Sequence, residues 1–381
     1  MVYIYSFFIA MGFVFIAMPT FIKLMLKYKV LDKSGGRKIH NGEKVNMGGL
    51  VIFFGFLCAY LISIPVFLKI ETMDLILSFI LLLSIIVIVG VRDDMNSLSP
   101  LTKLLVEVII GIFFCKMGIR FESLYGLYGI NELPVWVSYI MTIFFVIVIT
   151  NAYNLIDGVD GQSATQAIIT LIPLFLLFCF LVPEIYNKCV FGNHVFWSIV
   201  TISLIGALSA YLYYNWYPSK VFMGDTGSLL IGTIIACLLI IAIQYNGNFG
   251  DEVKVFGYSI KSNYGVIIML FYIPLVDTLR VFTARVLKGK SPFFPDKSHI
   301  HHFILRTCGT HQESTITTLI FSVFFSTMGI ILSFHIRDDY FIPFMIVMYF
   351  VYVIVLRSYT KKRIKCTNRK YTKKNYGSIG N

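Results

Sequence analysis

The chain has 381 residues, of which 57% are hydrophobic and only 14% are charged, and its mean hydropathy is +0.79. A soluble domain is about half apolar and a quarter charged, so this composition excludes a soluble protein and indicates a polytopic membrane protein. The formal net charge of +12 lies mainly in the polar segments between apolar runs, which indicates a negatively charged membrane surface and no nucleic-acid partner. The seven cysteines include no C-x-x-C pair, which argues against a disulfide framework or a zinc site.

Eleven apolar runs are long enough to cross the hydrocarbon core, which takes roughly 20 residues of helix. They lack the alternation of a β-barrel, so we predict an all-α polytopic membrane protein with about 11 transmembrane helices, or 10 as the alternative. The first run follows no basic residue and precedes no small-residue cleavage site, which favours an uncleaved span over a signal peptide. The runs are 3–24, 48–68, 74–91, 101–118, 135–153, 164–183, 194–214, 226–244, 263–282, 315–335 and 340–357.

Lysine and arginine are unequally distributed between the two sides of these spans, and cytoplasmic loops carry the excess of basic residues. With the N-terminus outside, the cytoplasmic segments hold 25 of the 32 Lys and Arg residues. We therefore predict that the N-terminus is outside and the C-terminus is cytoplasmic. Residues 1–357 are predicted to form a single integral-membrane domain. The basic tail, 358–381, is expected to be flexible and to contact anionic membrane lipids.

The segments richest in polar ligands all fall on the predicted cytoplasmic face. Each lies between an odd-numbered span and the next, whereas the outside segments are ordinary by comparison. One face is therefore predicted to carry an assembled site. The segments are 34–49, 92–100, 151–162 (NAYNLIDGVDGQ), 215–228 and 285–302.

Two of these segments place carboxylates at the end or the start of a span. Asp93 and Asp94 either end the third span or belong to a site; adjacent carboxylates repel unless a cation holds both ionised, and this cost favours a site. In MGDTGS (223–228), Asp225 caps the eighth span, or free backbone N–H groups at the start of that span bind phosphate.

The other polar residues of these segments indicate a phosphorylated ligand. The segment HIHH (299–302) lies among lysine and arginine residues and lacks the ligand spacing of a zinc site, so an anionic, phosphorylated ligand suits it better. Carboxylates and amides suit Mg²⁺, which completes its shell with water and phosphate oxygens. Phosphoryl transfer at a membrane surface is thus predicted. A transporter of an anionic or phosphorylated solute is the competing class, but Glu107 is its one candidate near mid-span and no internal repeat is apparent.

These motifs, in this order and spacing, make the chain similar to the polyprenyl-phosphate N-acetylhexosamine-1-phosphate transferases. Within them it most resembles the bacterial undecaprenyl-phosphate N-acetylglucosamine-1-phosphate transferases, from the first span to about residue 306. The group that loads muramyl-pentapeptide phosphate shares most of these motifs and stays as the alternative within the family. The motifs are DD (93–94), NAYNLIDGVDG (151–161), NWYPSKVFMGDTGS (215–228) and PDKSHIHH (295–302).

The resemblance implies an enzyme of the cell inner (plasma) membrane with a cytoplasmic active site, so that 1–357 would be its catalytic domain. It would transfer N-acetylhexosamine-1-phosphate, GlcNAc-1-phosphate first of all, from a UDP-sugar to undecaprenyl phosphate and release UMP. It would need Mg²⁺, for which Mn²⁺ can substitute. The product would be the first lipid-linked intermediate of a cell-envelope polysaccharide, such as the O-antigen of lipopolysaccharide. A homodimer is compatible with these implications.

Roles for individual residues also come from the resemblance. Asp225 and Asn154 would bind the metal, Asp93 would engage the lipid phosphate as a base, and Asp94 would support metal or phosphate geometry. The other matched positions would bind substrate: Asn151, Asp157, Asp160 and Asn215 the nucleotide-sugar, Arg285, His299, His301 and His302 the diphosphate, and Lys38 and Lys103 further phosphate oxygens.

Three segments depart from the family's pattern. Val45 and Asn46 stand where a proline and a basic residue are usual, so we expect a less tightly held first loop. Gln162 replaces an apolar residue. Glu107 follows Lys103 by one helical turn, where an uncharged residue is more usual, and this spacing allows an i, i+4 ion pair. These departures bear on the identity of the sugar more than on the reaction class.

Overall fold

The structure is a computed structural model that describes residues 1–32, 44–63, 73–181, 194–249, 254–255, 258–289, 310–355 and 358. Four residues of the predicted site, Lys38, His299, His301 and His302, lie outside the described residues. So does the basic tail, apart from residue 358.

The described chain is mostly helical, as its apolar runs predict, because a helix satisfies every backbone hydrogen bond within one segment. Each of the eleven runs contains a helix or a pair of helices. The short π-helix Leu177–Leu181 directly follows α6. The helices are α1 (Val2–Lys27), α2 (Gly49–Ser63), α3 (Met73–Met95), α4 (Pro100–Lys116), α5 (Val135–Ile156), α6 (Gln162–Leu176), α7 (His194–Asn215), α8 (Gly224–Phe249), α9 (Tyr264–Leu270), α10 (Tyr272–Val286), α11 (His311–Ser333) and α12 (Asp338–Val355).

Fewer helices meet the length of a full span than the apolar runs suggested. Among the described residues, eight are long and apolar enough to cross a membrane, or nine if α9 and α10, bent by 84°, form one broken span. The two other runs correspond to α2, with 15 described residues, and α4, with 17. The polytopic, all-helical class is therefore confirmed, while the count of eleven spans stays a prediction.

Helix α8 is the centre of the bundle. Its apolar stretch is completely buried, whereas only 17% of that of α1 is buried. Helices α2, α3 and α5 pack directly against α8. A Cβ atom added to Gly49 would overlap the backbone of Gly227, so α2 and α8 start side by side at van der Waals distance. This contact joins the first loop to the start of α8.

Short strands mark the two ends of the bundle. At one end, β1 (Leu31–Asp32) pairs antiparallel with β2 (Lys44–Val45), and β2 continues onto the segment before α8 because the Phe222 N–H donates to the Val45 carbonyl at 2.8 Å. Residues 44–49 of the first loop are thus bonded to β1 and to the segment before α8, while the expectation of a less tightly held first loop stays a prediction. The other end carries the hairpins β3 (Ser123–Leu127) with β4 (Ile130–Glu132) and β5 (Lys254–Val255) with β6 (Tyr258–Ser259).

The polar motifs gather at the end that carries β1 and β2. Helices α3, α5 and α7 end there, and helices α4, α6, α8 and α11 begin there, as the contacts of the next section establish. The expected assembly of the motifs on one face is therefore observed for the described residues. Which face of the membrane this is stays a prediction.

Candidate active site

Asp94, in the last turn of α3, caps α8 from a neighbouring helix. Its carboxylate accepts hydrogen bonds from the backbone N–H groups of Asp225 and Thr226, both at 2.9 Å, and from the Thr226 hydroxyl at 2.6 Å. A fourth comes from the Asn46 amide at 3.0 Å. A negative charge at a helix N-terminus is favourable because the first N–H groups have no partner within the helix. These two N–H groups are therefore not free for phosphate, and the cap of α8 is Asp94 and not Asp225.

Gly224 makes this cap possible. Its φ is +73°, and a Cβ atom there would lie 2.5 Å from the Asp94 Oδ2 atom. We expect Gly224→Ala to lower the free energy of unfolding by more than about 1 kcal/mol and to reduce activity, because the new methyl group must displace the cap. Thermal unfolding in detergent measures the first effect. Gly129→Ala is the control, since Gly129 has a φ of +79° and nothing within 4 Å of its Cβ position. Equal losses in both variants would contradict the role assigned to the packing of Asp94 on α8.

Lys103, near the start of α4, lies between two carboxylates. Its ammonium group contacts Asp93 Oδ2 and lies 3.2 Å from Asp225 Oδ2. The Asp93 side chain is only 1% exposed and also accepts a hydrogen bond from the Leu98 N–H at 2.7 Å. The Asp225 side chain is 30% exposed. Asp93 is therefore the more buried carboxylate of this cluster, and Asp225 is the more exposed one.

Asn154 completes this carboxylate cluster from the last turn of α5. Its amide nitrogen donates to Asp225 Oδ1 at 2.5 Å and to the Ser228 hydroxyl at 2.7 Å. The single charge of Lys103 balances only one of the two carboxylates, Asp93 and Asp225. A divalent cation would balance the pair more completely, since adjacent carboxylates otherwise repel each other.

The oxygen atoms of this cluster fit Mg²⁺. Carboxylate and amide oxygens are its preferred protein ligands, and it needs only one or two carboxylates because water and phosphate oxygens fill the remaining positions. Within the part of the chain that the structure describes, no three His, Cys, Asp or Glu side chains form a complete metal cluster. Asp225 and Asn154 would thus hold the ion together with substrate and water, and their role as metal ligands stays a prediction.

Asn151 lies one turn before Asn154 on α5 but binds a different partner. Its amide nitrogen donates to Glu107 Oε2 at 2.6 Å and to the Ile147 carbonyl at 2.9 Å. Glu107 is 2% exposed, one turn deeper in α4 than Lys103. Asn151 is therefore bonded to Glu107, which lies one helical turn from Lys103 of the carboxylate cluster.

A second cluster, the Asp160 cluster, joins three loops and one helix start. The buried Asp160 carboxylate pairs with the Lys44 ammonium at 3.1 Å and accepts from the Ser219 N–H at 3.1 Å. Lys44 also donates to the Ser219 hydroxyl at 2.7 Å. His311 Nδ1 lies 3.7 Å from Asp160 Oδ1, and the His311 ring stacks on Tyr217 at 6.1 Å between centroids. Because Lys44 lies two residues from Asn46, the partner of Asp94, the two clusters are neighbours.

Asn215 and Asp157 shape the loops around the Asp160 cluster. The Asn215 side-chain oxygen accepts from the Gly161 N–H at 3.0 Å, and its nitrogen donates to the Val221 carbonyl at 2.8 Å. Asp157 accepts from the Ser163 hydroxyl at 2.8 Å, across the turn that starts α6. These bonds fix the segment 157–163 against the segment that leads into α8.

The structure thus brings most of the described candidates together. Arg285 is buried near the end of α10, while the contacts that define the two clusters come from other residues. The predicted roles of individual residues stay predictions. The carboxylate cluster with its helix cap holds Asp93, Asp94, Lys103, Asn154 and Asp225, with Asn151 beside it, and the Asp160 cluster holds Asp157, Asp160 and Asn215.

Sequence reasoning missed several partners of these residues. Lys44 and Asn46 lie in the first polar segment, 34–49, which the sequence analysis assigns to the site. No local pattern pairs them with Asp160 and Asp94. His311 follows the last recognisable motif and offered no signal. Its helix is anchored by the Thr315 hydroxyl, which donates at 2.8 Å to the Asp160 carbonyl, 155 residues earlier in the chain.

Known proteins with similar sequences carry consistent names. Residues 76–243 match the model of glycosyl transferase family 4, a region that runs from α3 to α8 and includes both Asp93 and Asp225. A probable undecaprenyl-phosphate N-acetylglucosaminyl 1-phosphate transferase of Bacillus subtilis (strain 168) is 29% identical over 329 residues, which are 86% of this chain and 84% of that protein.

Two further relatives have comparable similarity. The undecaprenyl-phosphate alpha-N-acetylglucosaminyl 1-phosphate transferase of Yersinia pestis is 27% identical over 337 residues, 86% of this chain and 82% of the relative. The decaprenyl-phosphate N-acetylglucosaminephosphotransferase of Mycobacterium tuberculosis (strain ATCC 25618 / H37Rv) is 27% identical over 289 residues, 73% and 69% of the two chains. With both clusters and the bundle in place, these matches confirm the resemblance drawn from the motifs: residues 76–243 are similar to glycosyl transferase family 4, and the protein is a membrane-bound glycosyl-1-phosphate transferase.

Proposed function

We propose that this enzyme transfers GlcNAc-1-phosphate from UDP-GlcNAc to undecaprenyl phosphate at the cytoplasmic face of the inner (plasma) membrane, with release of UMP. One observation carries the proposal: two carboxylates, Asp93 and Asp225, flank one ammonium group at the end of a membrane bundle. That arrangement suits a divalent cation and phosphate groups at the depth where a lipid phosphate lies. The names of the relatives support GlcNAc and a polyprenyl phosphate as the substrates.

The proposed reaction is a displacement at phosphorus. An oxygen of the lipid phosphate attacks the phosphorus atom that carries the sugar, and the bond from that phosphorus to the bridging oxygen breaks. UMP leaves with the bonding electrons, and the sugar remains on a lipid diphosphate. A phosphate monoester has its second pKa near roughly 6, so at neutral pH the acceptor is mostly a dianion. The main difficulty is therefore to bring two anions together.

The residues of the carboxylate cluster would meet this difficulty by positioning and charge. Mg²⁺, when bound, offsets the negative charge of the diphosphate and of the leaving group. Asp225 and Asn154 would hold it, and Asp93 would orient the acceptor phosphate or take its remaining proton. The further phosphate contacts proposed are Lys38, Lys103, Arg285, His299, His301 and His302.

The Asp160 cluster would hold the nucleotide-sugar beside this centre. The loops that face the start of α8 are held in place by hydrogen bonds of Asp157, Asp160 and Asn215. Lys44 adds a cation next to the ring of Phe222, 4.7 Å from its centroid. This combination of a fixed carboxylate, a cation and an aromatic face is suited to a polar, planar, phosphorylated ligand.

Donor competition tests the proposal. Purified protein receives undecaprenyl phosphate and equal amounts of UDP-GlcNAc, UDP-GalNAc and the UDP-muramyl-pentapeptide, and mass spectrometry identifies the lipid product. We expect the GlcNAc diphospholipid, with one UMP released per lipid formed. A muramyl-pentapeptide product would support the alternative branch of the family. Uptake of solute into proteoliposomes without any lipid product would support a transporter, which the mid-bundle residues do not favour because Glu107 is already bonded to Asn151.

A two-step route is the rival mechanism, in which a carboxylate of the enzyme first forms an acyl phosphate. The same protein incubated with UDP-GlcNAc and no lipid distinguishes the two routes. Direct attack predicts no UMP under these conditions. Release of one UMP per enzyme molecule would contradict it.

A further inference from the structure

A small cavity lies directly beneath the carboxylate cluster, between α3, α4, α5 and α8. Lys103 lines it at the end nearest the cluster, and Glu107, Thr150 and Thr233 line it together with aliphatic side chains. Its volume is about 10 Å³, on the order of one small polar group or water molecule. The mechanism above makes no use of this cavity.

Three of the residues that line the cavity each have a buried side-chain oxygen atom without a protein partner. Glu107 Oε1, Thr150 Oγ1 and Thr233 Oγ1 form no hydrogen bond with any residue that the structure describes. These three residues are 2%, 1% and 0% exposed. A buried oxygen without a partner is costly, so each such atom in a native structure requires an explanation.

An ammonium group matches this set of acceptors. Lysine has three N–H donors and no acceptor, and Lys103 already borders the cavity. Glu107 lies one turn further along α4, at a spacing that brings two side chains together. The bond from Asn151 holds Glu107 Oε2 at 2.6 Å, which leaves Oε1 for another donor.

We propose that Lys103 has two positions. In the outer position, present in this structure, its ammonium bridges Asp93 and Asp225. In the inner position it turns into the cavity and donates to Glu107, Thr150 and Thr233. A divalent cation competes with the ammonium for the same carboxylate oxygens, and the two cations repel each other, so metal binding drives Lys103 inward. Glu107 supplies the charge that makes the inner position favourable. This inference rests on the proposed metal site at Asp225.

Mn²⁺ binding to the purified protein, followed by electron paramagnetic resonance with the metal alone, tests the inference. The double variant Thr150→Val/Thr233→Val removes two acceptors and changes no charge. We expect it to weaken Mn²⁺ binding about fivefold to tenfold, because Lys103 keeps competing for the carboxylates. In a Lys103→Met background the same pair of substitutions should have no effect. Thr201→Val is the matched control, since the buried Thr201 hydroxyl bonds the Trp197 carbonyl of its own helix at 2.7 Å.

Equal weakening in both backgrounds would overturn the proposal, because the hydroxyls would then act on the fold or on an ordered water and not on Lys103. No weakening in either background would overturn it as well. Should the double valine variant fail to fold, Glu107→Gln takes its place in the test. We expect it to weaken Mn²⁺ binding at least fivefold more when Lys103 is present than in the Lys103→Met background. Asp225→Asn distinguishes a failure of the proposed metal site from a failure of the proposed movement of Lys103. If that variant binds Mn²⁺ as tightly as the native protein, the metal site itself is wrong; if it loses Mn²⁺ while the threonine effect is absent, only the two positions of Lys103 are wrong.

Discussion

Asp225→Asn is expected to lower kcat/KM by about a thousandfold. The substitution keeps the shape of the side chain but removes the charge that faces the proposed cation, and electrostatic stabilisation of transferring phosphates is worth several kcal/mol. Asp225 is also the carboxylate of the cluster that solvent reaches, at 30% exposure, so its loss acts on ligand binding and little on packing. Formation of labelled lipid from UDP-GlcNAc by purified protein measures the effect.

Excess metal provides the second arm of this experiment. Because the loss arises from weaker metal binding, raising Mg²⁺ or Mn²⁺ should restore part of the activity of Asp225→Asn. Asp74→Asn is the control, since Asp74 is an exposed carboxylate at the opposite end of α3. Full activity of Asp225→Asn at ordinary metal concentrations would show that the metal assignment is wrong.

The adjacent carboxylates Asp93 and Asp94 should respond differently to the same substitution. Asp94→Asn is expected to lower the free energy of unfolding by about 2–4 kcal/mol. The substitution removes the negative charge that accepts four hydrogen bonds, and the new side-chain amide N–H groups would face the backbone N–H groups of α8. Activity should fall more than a hundredfold as Asp225 shifts with its helix. Asp93→Asn should leave the thermal stability almost unchanged, because Lys103 keeps Asp225 as a partner.

The pH profile separates the chemical role of Asp93 from that structural role. If Asp93 orients the acceptor, Asp93→Asn retains a measurable turnover that grows as the pH rises through the ionisation of the lipid phosphate, near roughly 6. A variant that is inactive at every pH would reject that role. A large loss of stability in Asp93→Asn, matching that of Asp94→Asn, would contradict a chemical role for Asp93 and a structural role for Asp94.

Much of this arrangement follows from the sequence, because the motifs sit at the ends of long apolar runs. The ends of α3 and α5 and the start of α8 must meet at one face once the chain crosses the membrane in alternating directions, and Asp93, Asn154 and Asp225 do meet there. The apolar runs likewise predicted the helices. Local sequence patterns could not predict which polar groups are hydrogen-bond or ion-pair partners of each other.

The cap of α8 illustrates this limit. The sequence left open whether Asp225 caps its own helix or the first N–H groups bind phosphate, but the acceptor is Asp94, which precedes Asp225 by 131 residues. The pairing of Lys44 with Asp160, 116 residues apart, is equally invisible in sequence. Neither pair has a fixed spacing along the chain, since the contacts depend on how the helices pack.

The break between α9 and α10 is not visible in the hydropathy pattern. Residues 263–282 read as one apolar run, yet the chain bends by 84° there. Pro274 falls in the first turn of α10, where the missing N–H costs no helical hydrogen bond, and that position is typical of a helix start. A proline inside an apolar run does not by itself mark a break, however, since Pro19 and Pro173 lie inside α1 and α6.

The fate of one phosphorus atom tests the central claim most directly. Purified protein is given undecaprenyl phosphate and UDP-GlcNAc labelled in the phosphate attached to the sugar. The account predicts that the label moves into the lipid in equal amount with the sugar, and that the released nucleotide is unlabelled UMP. Label that leaves as UDP, with the sugar alone on the lipid, would contradict it.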